Sequence, residues 1–169
     1  MIGSRQRHRY SQRHTWVLLC ALLVAVAISE PAAQEETLVL DDLDRRVELA
    51  APAQRIVATS PGNTELVLAL GLAEKVVGVT SVTEYLSYVP RLQAQAEGIP
   101  KLGDAKGLNF EKVISLQPDL VVLDGAQRQA LARLEKLGSQ RDFAVYVNAP
   151  DSVEGIVENV LELGLLVGA

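Results

Sequence analysis

Apolar residues along this chain alternate between two spacings, and the alternation predicts strands and helices in turn. The run from Ile56 to Thr59 is apolar on both faces, as expected of a strand that helices cover on both sides. A turn follows at residues 60–63, and apolar residues then recur at helical spacing from Leu66 to a stop at Gly71. The pattern predicts an α/β fold whose ligand contacts lie in the loops at the carboxyl ends of the strands.

The same pattern returns in the second half of the chain. Turn-prone acidic residues between two short apolar stretches predict a β-hairpin within residues 35–49, and residues 81–107, rich in proline and glycine, predict a long functional loop. Together these elements predict a three-layer α/β sandwich with a mostly parallel central sheet, preceded by a β-hairpin. Further buried strands are predicted over 76–80, 119–123 and 143–147, and further helices from Asn109 to Leu116, over 127–137 and from Asp151 to the last residue.

Three helix ends are predicted from particular residues. Gly138 is the expected stop of the helix over 127–137, and Asp151 with Glu154 has the spacing of a capping box at the start of the last helix. The apolar residues after Leu163 lack the charged or capped exit of a helix. The sequence therefore predicts that the chain is truncated there.

Residues 1–29 have the three regions of a secretory signal peptide. Four arginines between Arg5 and Arg13 precede an apolar run over 17–28, and small residues offer cleavage after Ser29 or Ala33. An uncleaved membrane anchor is the alternative, but the run of about 12 residues is shorter than the roughly 20 that span a bilayer. We therefore expect export to the periplasm and a single domain over residues 30–169.

Removal of this segment changes the charge and the chemistry of the chain. All 21 acidic residues but only 12 of the 16 basic ones lie at or after Glu30, so the net charge becomes 12 − 21 = −9. A chain this acidic is a poor ligand for nucleic acid. Both histidines and the one cysteine also lie before Glu30, which argues against a metal site, a bound cofactor and the common catalytic dyads. We therefore expect a binding protein without a cofactor or a resident metal, and not an enzyme.

Three segments together resemble one known family. SPGNTELVLALGL, KVVGVTS and LNFEKVISLQPDLVVLDG are similar to the N-terminal lobe of the periplasmic substrate-binding proteins that feed ABC importers for iron siderophores, haem and vitamin B12. The resemblance runs from about Thr37 to the end of the chain. It implies one lobe of a two-lobe fold that traps its ligand between the lobes, so the C-terminal lobe is missing. It also implies two partners, a metal chelate and an ABC permease in the membrane. Among the chelates, an iron siderophore is favoured, then haem or cobalamin.

The resemblance also implies which residues form the sites. Glu111, in the first turn of its helix, is expected to pair with arginines of the permease, although such a residue also stabilises a helix without any partner. Asn63 is equally suited to cap a helix, and each tyrosine is equally suited to pack under the long loop. Tryptophan occurs only at position 16, within the predicted signal peptide, which disfavours cobalamin. The residues implied for ligand binding are Pro61, Asn63, Tyr85, Tyr88, Asp124 and Gly125.

The residues alone leave two other classes of function open. A small exported α/β interaction protein of the cell envelope would use a partner to cover the apolar C-terminal helix. An exported hydrolase would use aspartate and tyrosine chemistry around Asp124, which the missing histidine disfavours.

Overall fold

The structure is a computed structural model of the 169-residue chain, and it describes residues 36–80, 88–104 and 107–169. Tyr85 and the signal peptide predicted over 1–29 lie outside these residues. A four-stranded parallel sheet in the order β4-β3-β7-β8 forms the centre of the described part, and two strand pairs are antiparallel, β1 with β2 and β5 with β6. The strands are β1 (Thr37–Leu40), β2 (Arg46–Leu49), β3 (Ile56–Ala58), β4 (Val76–Val79), β5 (Gly103–Asp104), β6 (Gly107–Leu108), β7 (Leu120–Asp124) and β8 (Ala144–Asn148).

Helices connect the parallel strands, as crossover connections within a parallel sheet usually require. Among the described residues, no helix combines the length and the hydrophobicity of a membrane span. The α-helices are α1 (Pro61–Ala69), α2 (Pro90–Ala96), α3 (Phe110–Ser115), α4 (Leu131–Arg141) and α5 (Val153–Val167), and short 3-10 helices cover Ala73–Lys75 and Gly125–Ala130.

The sheet is buried on both faces. Ile56 and Ala58 pack with residues of α1, α2, α5 and the β1–β2 hairpin, while Val57 between them packs with residues of α3 and α4. This alternation follows from the two-residue period of a strand. The predicted three-layer α/β sandwich, its mostly parallel sheet and the preceding hairpin are confirmed.

The hairpin is anchored on the edge strand β8 through its turn. The Asp41 carboxylate accepts hydrogen bonds from Leu43 N at 3.0 Å, Arg45 N at 3.1 Å and Val147 N at 3.0 Å. Arg45 forms an ion pair with Asp41 and donates to Val145 O at 3.2 Å. The turn therefore covers hydrogen-bonding groups that the edge of a sheet otherwise leaves open.

The long loop predicted over 81–107 is wrong where the structure describes it. Helix α2 begins at Pro90, whose ring suits the first position of a helix, and it buries Leu92 and Ala96 four residues apart. Strands β5 and β6 follow it. A seven-residue helix with two buried side chains gives too short a periodic signal to stand out in the sequence.

Two helix boundaries also differ from the prediction. The segment after β7 starts as a 3-10 helix. Gly138 lies inside α4, and the C-cap of α4 is Asp142 in the left-handed conformation (φ 57°). A Cβ atom at Gly138 would lie 2.4 Å from the carbonyl oxygen of Phe143. Glycine at this position therefore serves close packing between α4 and β8, and it does not end the helix.

The last helix is capped at both ends. Ser152 Oγ accepts from Gly155 N at 3.0 Å, so Ser152 is the N-cap and the capping box predicted for Asp151 and Glu154 is wrong. Gly168 adopts a positive φ of 69°, and Ala169 N donates to Gly164 O at 2.9 Å. The expectation of an uncapped exit is therefore wrong too, since glycine at this position satisfies the last carbonyl groups.

Candidate functional site

The four parallel strands end along one side of the sheet, which we call the carboxyl edge. It is formed by Thr59 after β3, Thr80 after β4, Asp124 at the end of β7 and Asn148 at the end of β8. In open α/β sheets, ligands bind outside this edge. The edge is therefore the first place to examine for a binding site.

Asn63 links three elements at the carboxyl edge. It is 1% exposed, its Nδ2 donates to Val122 O at 3.1 Å, and its Oδ1 accepts from Asn148 Nδ2 at 2.6 Å. Its backbone N–H donates to Ser60 Oγ at 3.2 Å, which caps α1. The Asn63 amide thus ties α1 to β7 and β8, and Ser60 is the N-cap.

The amide network extends from Asn148 to the hairpin. Asn159, 2% exposed on α5, donates through Nδ2 to Asn148 Oδ1 at 2.7 Å and to Asp42 Oδ2 at 2.6 Å. Asp42 also accepts from Ala149 N. These bonds satisfy buried polar groups and fix the loop after β8. Asn148 and Asn159 were not predicted from the sequence, although a lone asparagine on the apolar stripe of α5 was the available signal.

Asp124 and Gly125 form the turn after β7. Asp124 N donates to Thr59 Oγ1 at 3.2 Å, and Asp124 Oδ1 accepts from Ala126 N at 2.8 Å, which caps the 3-10 helix. A Cβ atom at Gly125 would lie 2.3 Å from Ala149 Cβ. The structure therefore brings the turns after β3, β7 and β8 into contact, with Asp124 and Gly125 half-buried among them.

The other residues implied for ligand binding are placed less tightly. Pro61 is half-buried at the first position of α1, beside the Asn63 network. Tyr88 is 91% exposed just before α2, so its ring does not pack under the loop. Tyr85 lies outside the described residues. Direct ligand contacts of Pro61, Asn63, Tyr85, Tyr88, Asp124 and Gly125 stay predictions.

Thr80 is a further polar residue at this edge. It is 3% exposed and its backbone N–H donates to Ala58 O at 3.3 Å, but its Oγ1 has no hydrogen-bond partner among the described residues. A buried hydroxyl without a partner is costly, and such groups concentrate at functional sites.

Glu111 lies exposed in the first turn of α3. The cap of this helix is Asn109, whose Oδ1 accepts from Lys112 N at 3.0 Å, as the sequence predicts. The Arg133 guanidinium carbon lies 4.0 Å from the centroid of the Phe110 ring, the residue before Glu111. The neighbouring surface is a groove of about 300 Å³ that is lined by Gly107, Leu108, Phe110, Gln127, Gln129, Ala130 and Arg133.

One ionisable group on β8, the phenol of Tyr146, has a strongly raised pKa. Tyr146 has no exposed surface, and its hydroxyl donates to Glu162 Oε2 at 2.7 Å. Burial, reinforced by the Glu162 carboxylate, raises the pKa of Tyr146 well above its usual value of 10.0. The phenol is therefore a structural donor between β8 and α5.

A second cavity of about 320 Å³ lies away from the carboxyl edge, near the start of β8. Its lining includes Gln117, Arg141 and Phe143. Within the described part of the chain, no group of three or more histidine, cysteine, aspartate or glutamate residues is arranged to hold a metal ion. The donors that converge in the described residues are thus amides, hydroxyls and single carboxylates.

Comparisons with known proteins agree on one family. The model of the periplasmic binding protein family matches residues 56–169. The vitamin B12-binding protein of Vibrio campbellii is 32% identical over 114 residues, 66% of this chain and 38% of that protein. An uncharacterized ABC transporter substrate-binding lipoprotein of Bacillus subtilis is 30% identical over 164 residues, 90% of this chain and 50% of that protein.

Solved structures share the fold. The periplasmic catecholate-siderophore binding protein of Vibrio cholerae superposes with a TM-score of 0.65 at 19% identity, over 79% of this chain and 46% of that one. The chain thus spans half or less of the length of these relatives. The matched region covers both faces of the sheet and all of its carboxyl edge, and by that match the chain belongs to the periplasmic binding protein family.

Proposed function

We propose that this chain provides solute binding for an ABC import system, in which it captures a metal chelate and delivers it to the membrane permease. The observation that carries the proposal is the carboxyl edge, where Asn63 joins α1 to the ends of β7 and β8 through bonds of 3.1 and 2.6 Å. Because these bonds fix the turns before any ligand arrives, the edge forms one preorganised wall of a cleft.

The proposed ligand class is a metal chelate with a polar periphery and flat apolar parts. Asp124 and the α1 turn provide polar contacts, and the exposed ring of Tyr88 provides a face for stacking. The curated relative from Vibrio campbellii is named for vitamin B12, and the similar fold from Vibrio cholerae is named for a catecholate siderophore. Iron siderophore, haem and cobalamin all belong to the proposed class.

The opposite wall of the cleft is proposed to come from a second lobe. This chain spans 38% and 50% of the two relatives, and ligand pockets bury most of the surface of their ligands. One wall alone removes only part of that surface from water. We therefore expect weak chelate binding by this chain and tighter binding when a polypeptide corresponding to the rest of the relatives is present.

We propose that Glu111 contacts the permease when the chain delivers its ligand in the periplasm. Its carboxylate is exposed at the start of α3, where the positive end of the helix dipole stabilises a negative charge. An exposed carboxylate held in this way suits bidentate pairing with an arginine of the permease. Capture and delivery require no bond-breaking chemistry from the chain, in keeping with its family of binding proteins.

Equilibrium dialysis with a ferric catecholate siderophore, haemin and cyanocobalamin tests the proposal. We expect saturable but weak binding of at least one chelate, weakened by Asp124→Ala. The control Glu48→Ala changes an exposed residue of β2 and should leave binding unchanged. Tight binding by residues 30–169 alone would contradict the one-wall account. Absence of binding to every chelate, even with the second lobe of a relative supplied, would contradict the ligand class.

A further inference from the structure

Helix α5 carries a row of exposed apolar side chains on its outer face. Four of them recur at every fourth position, which places them on one ridge that we call the outer ridge. Their exposed fractions are 72% for Val153, 55% for Val157, 64% for Leu161 and 60% for Leu165. Soluble proteins seldom leave contiguous large apolar side chains in water, so the outer ridge indicates an interaction surface.

The two borders of the outer ridge differ in chemistry. Because a helix turns 100° per residue, the row one position later runs along one side and contains Glu154 and Glu158, both exposed. The row three positions later runs along the other side and contains Ile156, which is 49% exposed, and the half-buried Val160. Helix α5 has three glutamates and no lysine or arginine. The ridge is thus acidic on one side and apolar on the other.

This asymmetry disfavours a second copy of the chain as the occupant. In an antiparallel two-fold pair, the Glu154–Glu158 border of one copy would face the same border of the other, and like charges would repel. In a parallel pair, the acidic border would face the row of Ile156 and Val160, which would remove carboxylates from water without a partner. Neither arrangement gives both the acidic border and the apolar border a favourable partner.

We propose that the outer ridge of α5 binds an amphipathic helix that carries apolar residues along the contact and lysine or arginine beside Glu154 and Glu158. Helices pack ridge into groove at about 8 to 10 Å between axes, a distance at which long basic side chains reach the border of their neighbour. The apolar ridge provides the area of contact, and the acidic border selects the partner and its direction. This inference goes beyond the proposed solute binding, because α5 presents this face independently of the carboxyl edge.

Designed peptides test the proposal on the exported form of the chain. Two helical peptides of about 18 residues share one leucine ridge and differ only in a lysine or a glutamate border. Fluorescence anisotropy should show about tenfold tighter binding of the lysine-bordered peptide at low salt. The double substitution E154K/E158K should reverse the preference, and Leu161→Asp should abolish binding of both peptides. The matched control Leu40→Asp changes another exposed apolar residue, 48% exposed on β1, and should leave the preference intact.

Three results would overturn the proposal. The first is equal affinity for the two peptides, or a preference that E154K/E158K leaves unchanged. The second is a stable dimer in native mass spectrometry that Leu161→Asp dissociates, since the occupant would then be a second copy. The third is binding to anionic phosphatidylglycerol vesicles that Leu161→Asp removes, since the occupant would then be a lipid surface. Circular dichroism of each variant verifies that the helical content of the protein is unchanged.

Discussion

The side chains of Asn63 and Asn148 meet at the carboxyl edge, where Asn148 Nδ2 donates to Asn63 Oδ1 at 2.6 Å. Asn63 uses its other amide atom on Val122 O, so no polar atom of this side chain is left to solvent. The predicted binding residue is thereby also a structural residue. The Asn63 side chain holds the turns after β3, β7 and β8 in one arrangement, and this structural role can be measured through protein stability.

Replacement of Asn63 is expected to destabilise the fold. Asn63→Ala leaves Asn148 Nδ2 without a partner and leaves Val122 O with only the hydrogen bond from Thr59 N, and we expect a loss of about 1 to 3 kcal/mol in the free energy of unfolding. Urea denaturation measures it. The control Gln129→Ala removes an exposed amide and should change stability by less than about 0.5 kcal/mol. Equal effects of the two variants would refute the structural role of Asn63.

Two glycines at the carboxyl edge should respond oppositely to a methyl group. Gly125→Ala brings a Cβ atom within 2.3 Å of Ala149 Cβ, and the overpacking should cost about 1 to 3 kcal/mol. Gly62→Ala meets nothing within 4 Å and adds a helix-favouring residue to α1, so stability should rise by about 0.4 to 1 kcal/mol. Thermal unfolding of the pair measures both changes. A Gly125→Ala protein as stable as the parent would show that the turns after β7 and β8 do not touch.

Alkaline pH should expose the role of Tyr146. Burial raises the pKa of Tyr146 in the folded state above its usual value of 10.0, so the folded state keeps the phenol proton when the unfolded state loses it. Its stabilising contribution is therefore present below pH 10 and falls above it, by up to about 1.4 kcal/mol per pH unit. Urea midpoints at about pH 9 and about pH 11 measure the slope. Tyr146→Phe should be less stable at neutral pH but should lose less stability at high pH, and an unchanged slope would be inconsistent with this assignment.

Glu111 should matter for the permease and not for the fold. Glu111→Gln removes the charge for arginine pairing, and we expect at least about tenfold weaker association with the permease in host membranes, with stability changed by less than about 1 kcal/mol. The control Glu97→Gln changes another exposed glutamate, next to α2. Co-sedimentation with membrane vesicles that contain the importer measures both variants. Equal sedimentation of Glu111→Gln and Glu97→Gln would argue against docking through α3.

Periodicity in the sequence was sufficient for the layers of the fold but not for the helix ends. Val121 and Val122 are both buried because helices cover both faces, so their strand appears as a continuous apolar run. Gly138 looks like a helix stop, whereas its role is a close approach to Phe143 that depends on tertiary packing. Local patterns do not contain such distant contacts.

The position of the candidate site was predictable from the sequence, but its hydrogen-bond network was not. Asp124 and Gly125 follow a recognisable buried strand, so their place at the carboxyl edge follows from the topology of a parallel sheet. Asn148 and Asn159 are 11 residues apart, and the bond from Asn159 to Asp42 joins residues 117 positions apart. A network of that kind depends on how the hairpin packs against α5 and β8, and a single sequence carries only the weak signal of a polar residue on an apolar helix face.

Chelate binding at the carboxyl edge is tested most directly by mapping amide chemical shifts in a ¹⁵N-labelled chain during titration. Cyanocobalamin and a gallium(III) catecholate complex suit the measurement, because both are diamagnetic and because shift changes report weak binding. We predict changes concentrated at Gly62, Asn63, Asp124 and Gly125 for at least one of the two. Changes centred instead on the cavity at Gln117 and Phe143, or no changes with either chelate, would contradict ligand capture at this edge.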